Sequence, residues 1–292
     1  MSSNKNKPGK AKKAAGALYV VATPIGNLAD LSERARSTLT EVDLIAAEDT
    51  RHTARMLTHL GVRTELISCH EHNETERAGQ ITGKLQDGLN VALVSDAGTP
   101  LMSDPGYRLV KAVADAGLPV VPVPGACAAI AALSVAGLPS DQFRFVGFLP
   151  SAAKARQAKL QALAGSSDSL LFYVSVHKLD ATLGDMITEF GADRPAVLGR
   201  EITKLYETFY RGDLAAVREQ VAADPGGGKG ELTLVVAGCG DIAAAGDEEV
   251  RRVLTVLLEE LPASQAAALA AKLTGRRKRE VYELAMSLKP TD

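Results

Sequence analysis

Four short segments in the first half of the chain place proline, glycine and small polar residues directly after apolar runs. One of them carries Glu48, Asp49 and Arg51, side chains that can accept a proton or stabilise charge during group transfer. Asp49 is also a preferred helix N-cap residue, so a purely structural role for this set stays open. The segments are TPIGN at 23–27, EDTR at 48–51, SDAGTPLMSDPG at 95–106 and PGACA at 124–128.

Alternating strands and helices have to position these segments. Strongly apolar continuous runs alternate with stretches of helical spacing, which predicts a parallel sheet covered on both faces. Because ligands bind beyond the carboxyl ends of such strands, the four segments predict one crevice in an α/β domain at 18–137. Residues 103–106, at the end of the third segment, are expected to cap the next helix. The predicted strands lie near 18–22, 44–47, 64–68, 91–95 and 119–123.

The flanking regions predict three further units. Strands near 143–148, 169–174, 195–200, 206–210 and 231–237 indicate a second α/β domain at 138–241, which mixes strand directions. Apolar stripes at helical spacing predict a helix-turn-helix-like unit at 248–289, with a plain helical hairpin as the alternative. Residues 1–16 contain five lysines and no acid, so a disordered basic arm is predicted at 1–17.

Composition narrows the class of protein. The net charge of −2 does not indicate a general nucleic-acid binder, so any positive surface must be local. No run is apolar enough for a membrane span, and the three scattered cysteines suit a reducing cytoplasm. A dinucleotide fingerprint, a P-loop, a catalytic serine elbow and a Cys/His metal set are all missing. We therefore expect no metal, and His70 and His72 around Glu71 favour a polar substrate loop.

Six segments together resemble the tetrapyrrole methylase superfamily, and within it the branch that methylates 16S rRNA of the small ribosomal subunit. The combination of TPIGN, EDTR, SDAGTP and SDPG differs from the corresponding loops of precorrin methylases and diphthine synthases. The resemblance spans residues 18–288. In chain order, the segments are VVATPIGNLADLSERA, AEDTRHTARML, VALVSDAGTPLMSDPGYRLV, VPVPGACAAIAALSVAGLP, REITKLYE and KGELTLVVAG.

The resemblance implies a fold and an activity. It implies two α/β domains with S-adenosylmethionine in the cleft between them, a C-terminal helical unit, and a homodimer in the cytoplasm. The implied reaction is methylation of the ribose 2′-hydroxyl of a cytidine in the decoding region of 16S rRNA. Naked rRNA or the small ribosomal subunit would be the partner, and no membrane is implied. A small-molecule tetrapyrrole or corrin methylase with the same fold is the alternative, and an RNA-binding assembly factor without turnover is a third possibility.

The resemblance also implies roles for individual residues. Cofactor-binding positions carried over from the family are Pro24, Asp96, Gly98, Thr99, Cys127, Ala128, Phe172 and Tyr173. Residue chemistry and charge, rather than the resemblance, suggest RNA contacts at Asn27, Arg200, Lys204 and the basic run Arg276, Arg277, Lys278 and Arg279, with a surface ion pair as the alternative for Arg200. A ribose hydroxyl is a poor nucleophile, so a proton acceptor or a positive charge beside it is expected from Glu48, Asp49 and Arg51.

One segment departs from the family pattern. After the LFY strand the family commonly shows Glu-Ser-Pro-His-Arg, whereas this chain has Val-Ser-Val-His-Lys at 174–178. Lysine does not replace arginine where a bidentate phosphate contact is needed, so the contacts of this segment are expected to differ.

Overall fold

A parallel five-stranded sheet forms the first domain in the computed structural model, which describes residues 14–240, 247–274, 276 and 278–288. The strands follow the sheet order β3-β2-β4-β1-β5, and every pairing is parallel. The carboxyl ends of all five therefore meet at one edge, as the sequence predicted. The strands are β1 (Leu18–Val21), β2 (Leu44–Ala47), β3 (Leu66–Ser68), β4 (Val91–Val94) and β5 (Val120–Val123).

Helices cover both faces of this sheet. In β4, Val91 and Leu93 face one apolar core and Ala92 and Val94 face the other, because side chains alternate across a strand. This explains why the strands are apolar at nearly every position. The helices that follow the strands are α1 (Glu33–Glu41), α2 (Thr50–Leu60), α3 (Glu74–Gln86), α4 (Tyr107–Asp115) and α5 (Ala128–Ala136).

The second domain contains a mixed sheet with the order β6-β7-β10-β8-β9. Only the β6–β7 pairing is parallel. Three helices cover one face around a core that includes Leu160, Leu183 and Val217. The strands are β6 (Phe143–Phe148), β7 (Ser169–Val174), β8 (Pro195–Arg200), β9 (Thr208–Asp213) and β10 (Leu232–Val236). The helices are α6 (Ala153–Gln161), α7 (Leu179–Phe190) and α8 (Leu214–Ala223).

Helix α5 joins the two domains. Its small side chains Ala129 and Ala132 pack on the open face of the second sheet, against Leu171, Val197 and Val235. Alanine lets the helix approach the strands closely, and the contact buries apolar surface on both the helix and the sheet. The predicted domain boundary after residue 137 therefore falls just beyond a helix that belongs spatially to the second sheet.

A three-helix unit follows, with α9 (Asp247–Glu260), α10 (Ala263–Thr274) and α11 (Lys278–Ser287). Val250, Leu254, Ala266, Val281 and Ala285 form a separate apolar core among these helices. The arrangement agrees with the predicted helix-turn-helix-like unit. Arg277 lies outside the described residues, as does residue 289 at the predicted end of the unit.

The expected end of the basic arm is corrected. Residues 1–13 of the predicted basic arm lie outside the described residues. Gly16 and Ala17, predicted as the end of that arm, instead donate backbone hydrogen bonds to Leu85 O and Asn90 Oδ1, at 2.8 and 3.0 Å.

Across the part of the chain that the structure describes, we find no helix long and apolar enough to span a membrane.

The expected cap of α4 is also corrected. The helix begins after Gly106 without a side-chain cap from residues 103–106. Glu74, a buried side chain at the start of α3, accepts backbone hydrogen bonds from Gly106, Arg108 and Leu109 at 3.1, 2.6 and 3.2 Å. A carboxylate at a helix N-terminus is favoured by the helix dipole. Asp104 is thereby left available for another role.

Candidate active site

Hydrogen bonds connect the four polar segments at the edge of the first sheet. Thr23 and Gly98 exchange backbone hydrogen bonds of 2.9 and 3.1 Å. The Thr99 hydroxyl donates to Ala126 O at 2.9 Å, which ties the third segment to the fourth. Asp96 Oδ1 accepts from the backbone N–H of Asp49 at 3.0 Å, which ties it to the second. The predicted crevice therefore has a continuous, preorganised wall.

An interdomain cleft opens between this wall and the second domain. Its volume is about 480 Å³, within the usual range for small-molecule sites. The first domain contributes backbone-rich segments, and the second contributes aromatic and polar side chains from the ends of β6, β7 and β10. Residues that line the cleft include Ile25, Gly98, Thr99, Met102, Asp104, Ala128, Phe148, Tyr173, His177, Glu231 and Thr233.

Four of the eight predicted cofactor positions line this cleft: Gly98, Thr99, Ala128 and Tyr173. Pro24 and Cys127 each precede a lining residue in the chain, Ile25 and Ala128. Gly98 has a φ of 85°, and a Cβ there would stand 3.2 Å from Ile25 Cγ2. Glycine is therefore required both by the backbone conformation and by the close approach of the first segment.

Two of the predicted cofactor positions have other places in the fold. Phe172 is fully buried in the core of the second domain, whereas its neighbour Tyr173 lines the cleft. Successive side chains of β7 point to opposite faces, so the two aromatic residues cannot share the cleft, and the Phe172 prediction is corrected. Asp96 does not line the cleft and instead links loops through Asp49. Its effect on a ligand would be indirect.

A cluster of carboxylates lies at the first-domain side of the cleft. Burial, followed by the charges of Asp104 and Asp96, raises the pKa of Glu48. Burial also raises the pKa of Asp104, with the Asp96 charge acting in the same direction against a hydrogen bond from Ser95. Carboxylates with raised pKa values are suited to accepting a proton near neutral pH. The sequence analysis missed Asp104 because it assigned residues 103–106 to a helix cap.

The other members of the predicted catalytic set have a structural position. Asp49 is the N-cap of α2, and its Oδ1 accepts from the backbone N–H groups of Arg51 and His52 at 2.8 and 3.4 Å. The hydrogen bond from the Arg51 backbone N–H is the main cause of the lowered pKa of Asp49; burial opposes it, and the hydrogen bond from His52 N–H adds to it. Arg51 is highly exposed beside Asp49. The capping alternative therefore accounts for both residues.

Backbone strain marks the same loop. Leu101 and Ser103 adopt left-handed conformations with φ values of 73° and 71°. Such conformations cost free energy for residues with a side chain, and they cluster where surrounding structure holds a loop for function. They bring Met102, Ser103 and Asp104 to the cleft.

Lys204 of the second domain binds a residue that lines the cleft. It forms ion pairs with Glu201 at 2.9 Å and with Glu231, a lining residue, at 3.2 Å. Its aliphatic stem lies against Gly26, where a Cβ would collide with it. Lys204, predicted as an RNA contact, is therefore a bridge between the 201–207 loop, the cleft and the first segment.

Two further RNA predictions fall on side chains that are already engaged. Arg200 is 8% exposed, and its Nη2 donates to Thr208 Oγ1 at 3.1 Å. It points into the second domain near Tyr210 and Asp224, so both the RNA contact and the alternative surface ion pair are corrected. Asn27 Oδ1 accepts from Ala29 N at 3.1 Å and caps a short 3-10 helix, while the residue itself remains exposed.

The basic run lies at the start of α11. Arg276 pairs with Glu280 at 3.1 Å, and Arg279 pairs with Glu283 at 3.3 Å. Lys278 is exposed, and the Arg279 side chain is 92% exposed. The exposed pair of Arg279 is weak, so Lys278 and Arg279 are accessible to a polyanion. Among the described residues, no group of three His, Cys, Asp or Glu side chains is arranged to hold a metal ion.

Comparison with known proteins places these features in a family. A model described as Tetrapyrrole (Corrin/Porphyrin) Methylases matches residues 17–218, and one described as the RsmI C-terminal HTH domain matches residues 244–289. The chain is 52% identical over 277 residues to Ribosomal RNA small subunit methyltransferase I of Pseudomonas aeruginosa, covering 94% of this chain and 98% of the relative. The chain belongs to the ribosomal RNA small subunit methyltransferase I family. The family predicted from the six segments is confirmed.

Two further comparisons bear on that family. Ribosomal RNA small subunit methyltransferase I of Escherichia coli O157:H7 is 47% identical over 276 residues, 94% of this chain and 96% of the relative. A crystal structure of uroporphyrin-III C-methyltransferase from Thermus thermophilus, complexed with S-adenosyl homocysteine, has a TM-score of 0.51 at 17% identity. It covers 75% of this chain and 97% of that one, and it shows the shared fold. The predicted two-domain methylase fold is therefore confirmed.

Proposed function

We propose that this chain transfers the methyl group of S-adenosylmethionine to the 2′-hydroxyl of a cytidine ribose in the decoding region of 16S rRNA. The observation that carries the proposal is the near full-length identity to rRNA methyltransferases, C-terminal unit included. The tetrapyrrole alternative is disfavoured because the solved uroporphyrin enzyme covers 75% of this chain, against 94% for the rRNA methyltransferases.

The interdomain cleft suits S-adenosylmethionine chemically. The methyl donor carries an adenosine, an amino-acid head and a positively charged sulfonium. Backbone groups around Gly98 and Thr99 are open to the polar edges of such a molecule, and Ile25 and Tyr173 offer apolar surface. The carboxylate of Asp104 faces the cleft and complements positive charge. When bound, S-adenosylmethionine supplies an electrophilic methyl group.

The chain must make the ribose hydroxyl reactive and hold it in line. The hydroxyl oxygen forms a bond to the methyl carbon as the carbon–sulfur bond breaks, and the hydroxyl proton must leave. Asp104 lines the cleft, and its charge raises the pKa of the neighbouring Glu48. The carboxylate of Asp104 accepts the proton, and Glu48 receives it or stabilises the protonated pair.

The RNA surface extends beyond the cleft. Lys278 and Arg279 at the start of α11 provide exposed positive charge on a separately folded helical unit. Phosphate contacts of this kind position RNA without reading its sequence. Because the proposed substrate is rRNA, we expect the enzyme to act in the cytoplasm. The resemblance implies a homodimer, and light scattering of the purified protein tests this prediction.

Mass mapping of 16S rRNA tests the function in cells. In a strain that lacks this gene, we expect one cytidine of the decoding region to lose a mass corresponding to a methyl group. Supplying the gene on a plasmid restores it. Retention of the methyl group in the deletion strain would refute the proposed function.

A further inference from the structure

A second cavity adjoins the interdomain cleft. This side pocket has a volume of about 290 Å³ and lies between the loop after β6 and the loop after β7. It shares Phe148, Tyr173 and His177 with the cleft and extends to Pro150, Lys178 and Thr182. A molecule in the side pocket is therefore adjacent to one in the cleft.

The walls of the side pocket are fixed by a buried arginine. Arg156 on α6 is 5% exposed, and its Nε donates to Asp185 Oδ2 of α7 at 2.7 Å. Its Nη1 donates to the backbone carbonyl of Ser151 at 3.2 Å. The 149–152 segment is thus tied to two helices. A pocket held in this way can bind a ligand without the cost of ordering its walls.

An exposed aromatic ring stands at the junction of the two cavities. Phe148 is 60% exposed at the end of β6, just beyond the register shift between Phe145 and Gly147. Its ring centroid is 5.6 Å from that of Tyr173, and the two ring planes are inclined by 59°, so the rings pack against each other. An exposed phenyl ring is a typical stacking surface for an unpaired base.

Lys178 adds a positive charge to the lining of the same pocket. The residue is exposed, and it ends the 174–178 segment that departs from the family pattern. A flexible ammonium group binds phosphate as a point charge, without the fixed geometry of arginine. An aromatic ring and a cation flanking one cavity match the base and the phosphate of a single nucleotide.

We propose that the side pocket holds the target nucleotide of the RNA, with its base stacked on Phe148 and a flanking phosphate at Lys178. The inference rests on the proposed function and adds the substrate site to it. A base in the side pocket leaves its ribose at the shared wall of Phe148, Tyr173 and His177, which faces the cleft. The 2′-hydroxyl is then delivered to the methyl donor from the second domain.

Kinetics with small ribosomal subunits from the deletion strain test this site. Phe148→Ala is expected to raise KM for the subunits about tenfold, since an aromatic ring contributes that much to the binding of a stacked base. Phe148→Leu, which keeps an apolar side chain of similar size, shows the same loss, and Phe148→Tyr retains activity. Phe143→Ala is the matched control, because Phe143 is an exposed phenylalanine of the same strand, 43% exposed, outside both cavities.

Salt dependence tests the phosphate contact. For a fluorescein-labelled RNA fragment of the decoding region, Lys178→Ala should lower the slope of log Kd against log salt by about one. Lys159→Ala on α6, which is exposed and outside the pocket, leaves the slope unchanged. Calorimetry with S-adenosyl homocysteine and thermal melting are expected to match the wild type for all variants.

The outcomes separate this inference from the proposed function. Wild-type activity together with an unchanged KM in Phe148→Ala and Phe148→Leu overturns the nucleotide site alone. A loss of S-adenosyl homocysteine affinity equal to the change in KM also overturns it, because Phe148 would then belong to the cofactor site. Absence of methyl transfer by the wild-type enzyme overturns the proposed function itself.

Discussion

Two strained loops lie at the interdomain cleft, and their acidic side chains have opposite surroundings. The 95–106 loop lines the cleft, and the 201–207 loop reaches it through the ion pair between Lys204 and the lining residue Glu231. The 95–106 loop holds Leu101 and Ser103 in left-handed conformations, and the 201–207 loop holds Glu201 and Thr203 at φ values of 51° and 68°. In the first loop the carboxyl group of Asp104 is buried beside other acids. In the second loop Glu201 lies between Lys204 and the backbone N–H of Glu231, at 2.9 and 2.8 Å.

The pKa values follow this difference. Burial and neighbouring acids raise the pKa of Asp104 and of Glu48. Burial acts in the same direction on Glu201, but the hydrogen bonds from Lys204 and Glu231 outweigh it and lower the pKa of Glu201. Backbone strain therefore identifies both loops as special without distinguishing their roles. Charge pairing makes the distinction, and on that basis we propose a catalytic role for the first loop and a structural role for the second.

The largest expected effect is on catalysis. Asp104→Asn should lower kcat about 100-fold or more, because a positioned proton acceptor contributes at least that factor. Single-turnover methyl transfer to subunits from the deletion strain provides the measurement. Asp141→Asn, an exposed aspartate outside the cleft, serves as the control. A kcat close to that of the wild type would remove Asp104 from the chemistry and break the contrast between the loops.

The next effect is on stability, in the second loop. Glu201→Gln should reduce the free energy of unfolding by about 1–2 kcal/mol at neutral pH, since it removes a charged acceptor from two hydrogen bonds. A lowered pKa stabilises the folded state above the ordinary value of 4.5, and this stabilisation is lost as the pH falls through the lowered value. Urea denaturation from neutral to acidic pH should therefore show the two proteins converging.

Exposed Glu219 on α8 provides the control for that experiment. Glu219→Gln is expected to leave the unfolding curve unchanged. If Glu201→Gln behaved in the same way, the ion pair and hydrogen bonds of Glu201 would contribute nothing measurable to stability, and the structural role of the 201–207 loop would be refuted.

A smaller effect concerns the pH dependence of the rate. Asp96 raises the pKa of both Glu48 and Asp104, and Asn at this position still offers an oxygen to the backbone N–H of Asp49. In the wild type the rate should fall toward acidic pH as the two carboxylates become protonated. Asp96→Asn should move that decrease to lower pH. A decrease at unchanged pH would show that the cluster does not control the rate.

The smallest effect is again on stability, with the opposite sign to that of Glu201. A group with a raised pKa favours the folded state at low pH, and this contribution is lost as the pH rises through the raised value. Asp104→Asn should therefore raise Tm slightly at pH 7 while it abolishes activity, and the difference should disappear below pH 3.8, the ordinary pKa of aspartate. A lower Tm at pH 7 would indicate that Asp104 is a structural residue.

The sequence predicted the bounds of several strands closely. The bounds 143–148, 169–174 and 195–200 agree with β6, β7 and β8, because these apolar-rich segments lie between recognisable turns. The strand predicted at 206–210 lies instead at Thr208–Asp213. Leu205 and Tyr206 are apolar but 87% and 68% exposed, and local composition does not reveal which apolar residues a loop leaves in water.

The site was predictable only in part, for a similar reason. The four segments at the sheet edge follow from topology, and Gly98 and Thr99 follow from motif resemblance. A site role for Asp104 could not be predicted, because the N-terminus of α4 is capped by Glu74 rather than by residues 103–106. Glu74 lies 32 residues before Gly106, so local sequence does not reveal this contact. Phe172 and Tyr173 are adjacent in sequence, and only the packing of α5 on the second sheet shows which of them faces the cleft.

Methyl transfer by the purified protein tests the central claim most directly. The wild-type enzyme and Asp104→Asn are incubated with labelled S-adenosylmethionine and with small ribosomal subunits from the deletion strain. The rRNA is then digested and its nucleosides are separated. We predict label in 2′-O-methylcytidine with the wild type and almost none with Asp104→Asn. Label in a base-methylated nucleoside, or no label in the rRNA, would contradict the account.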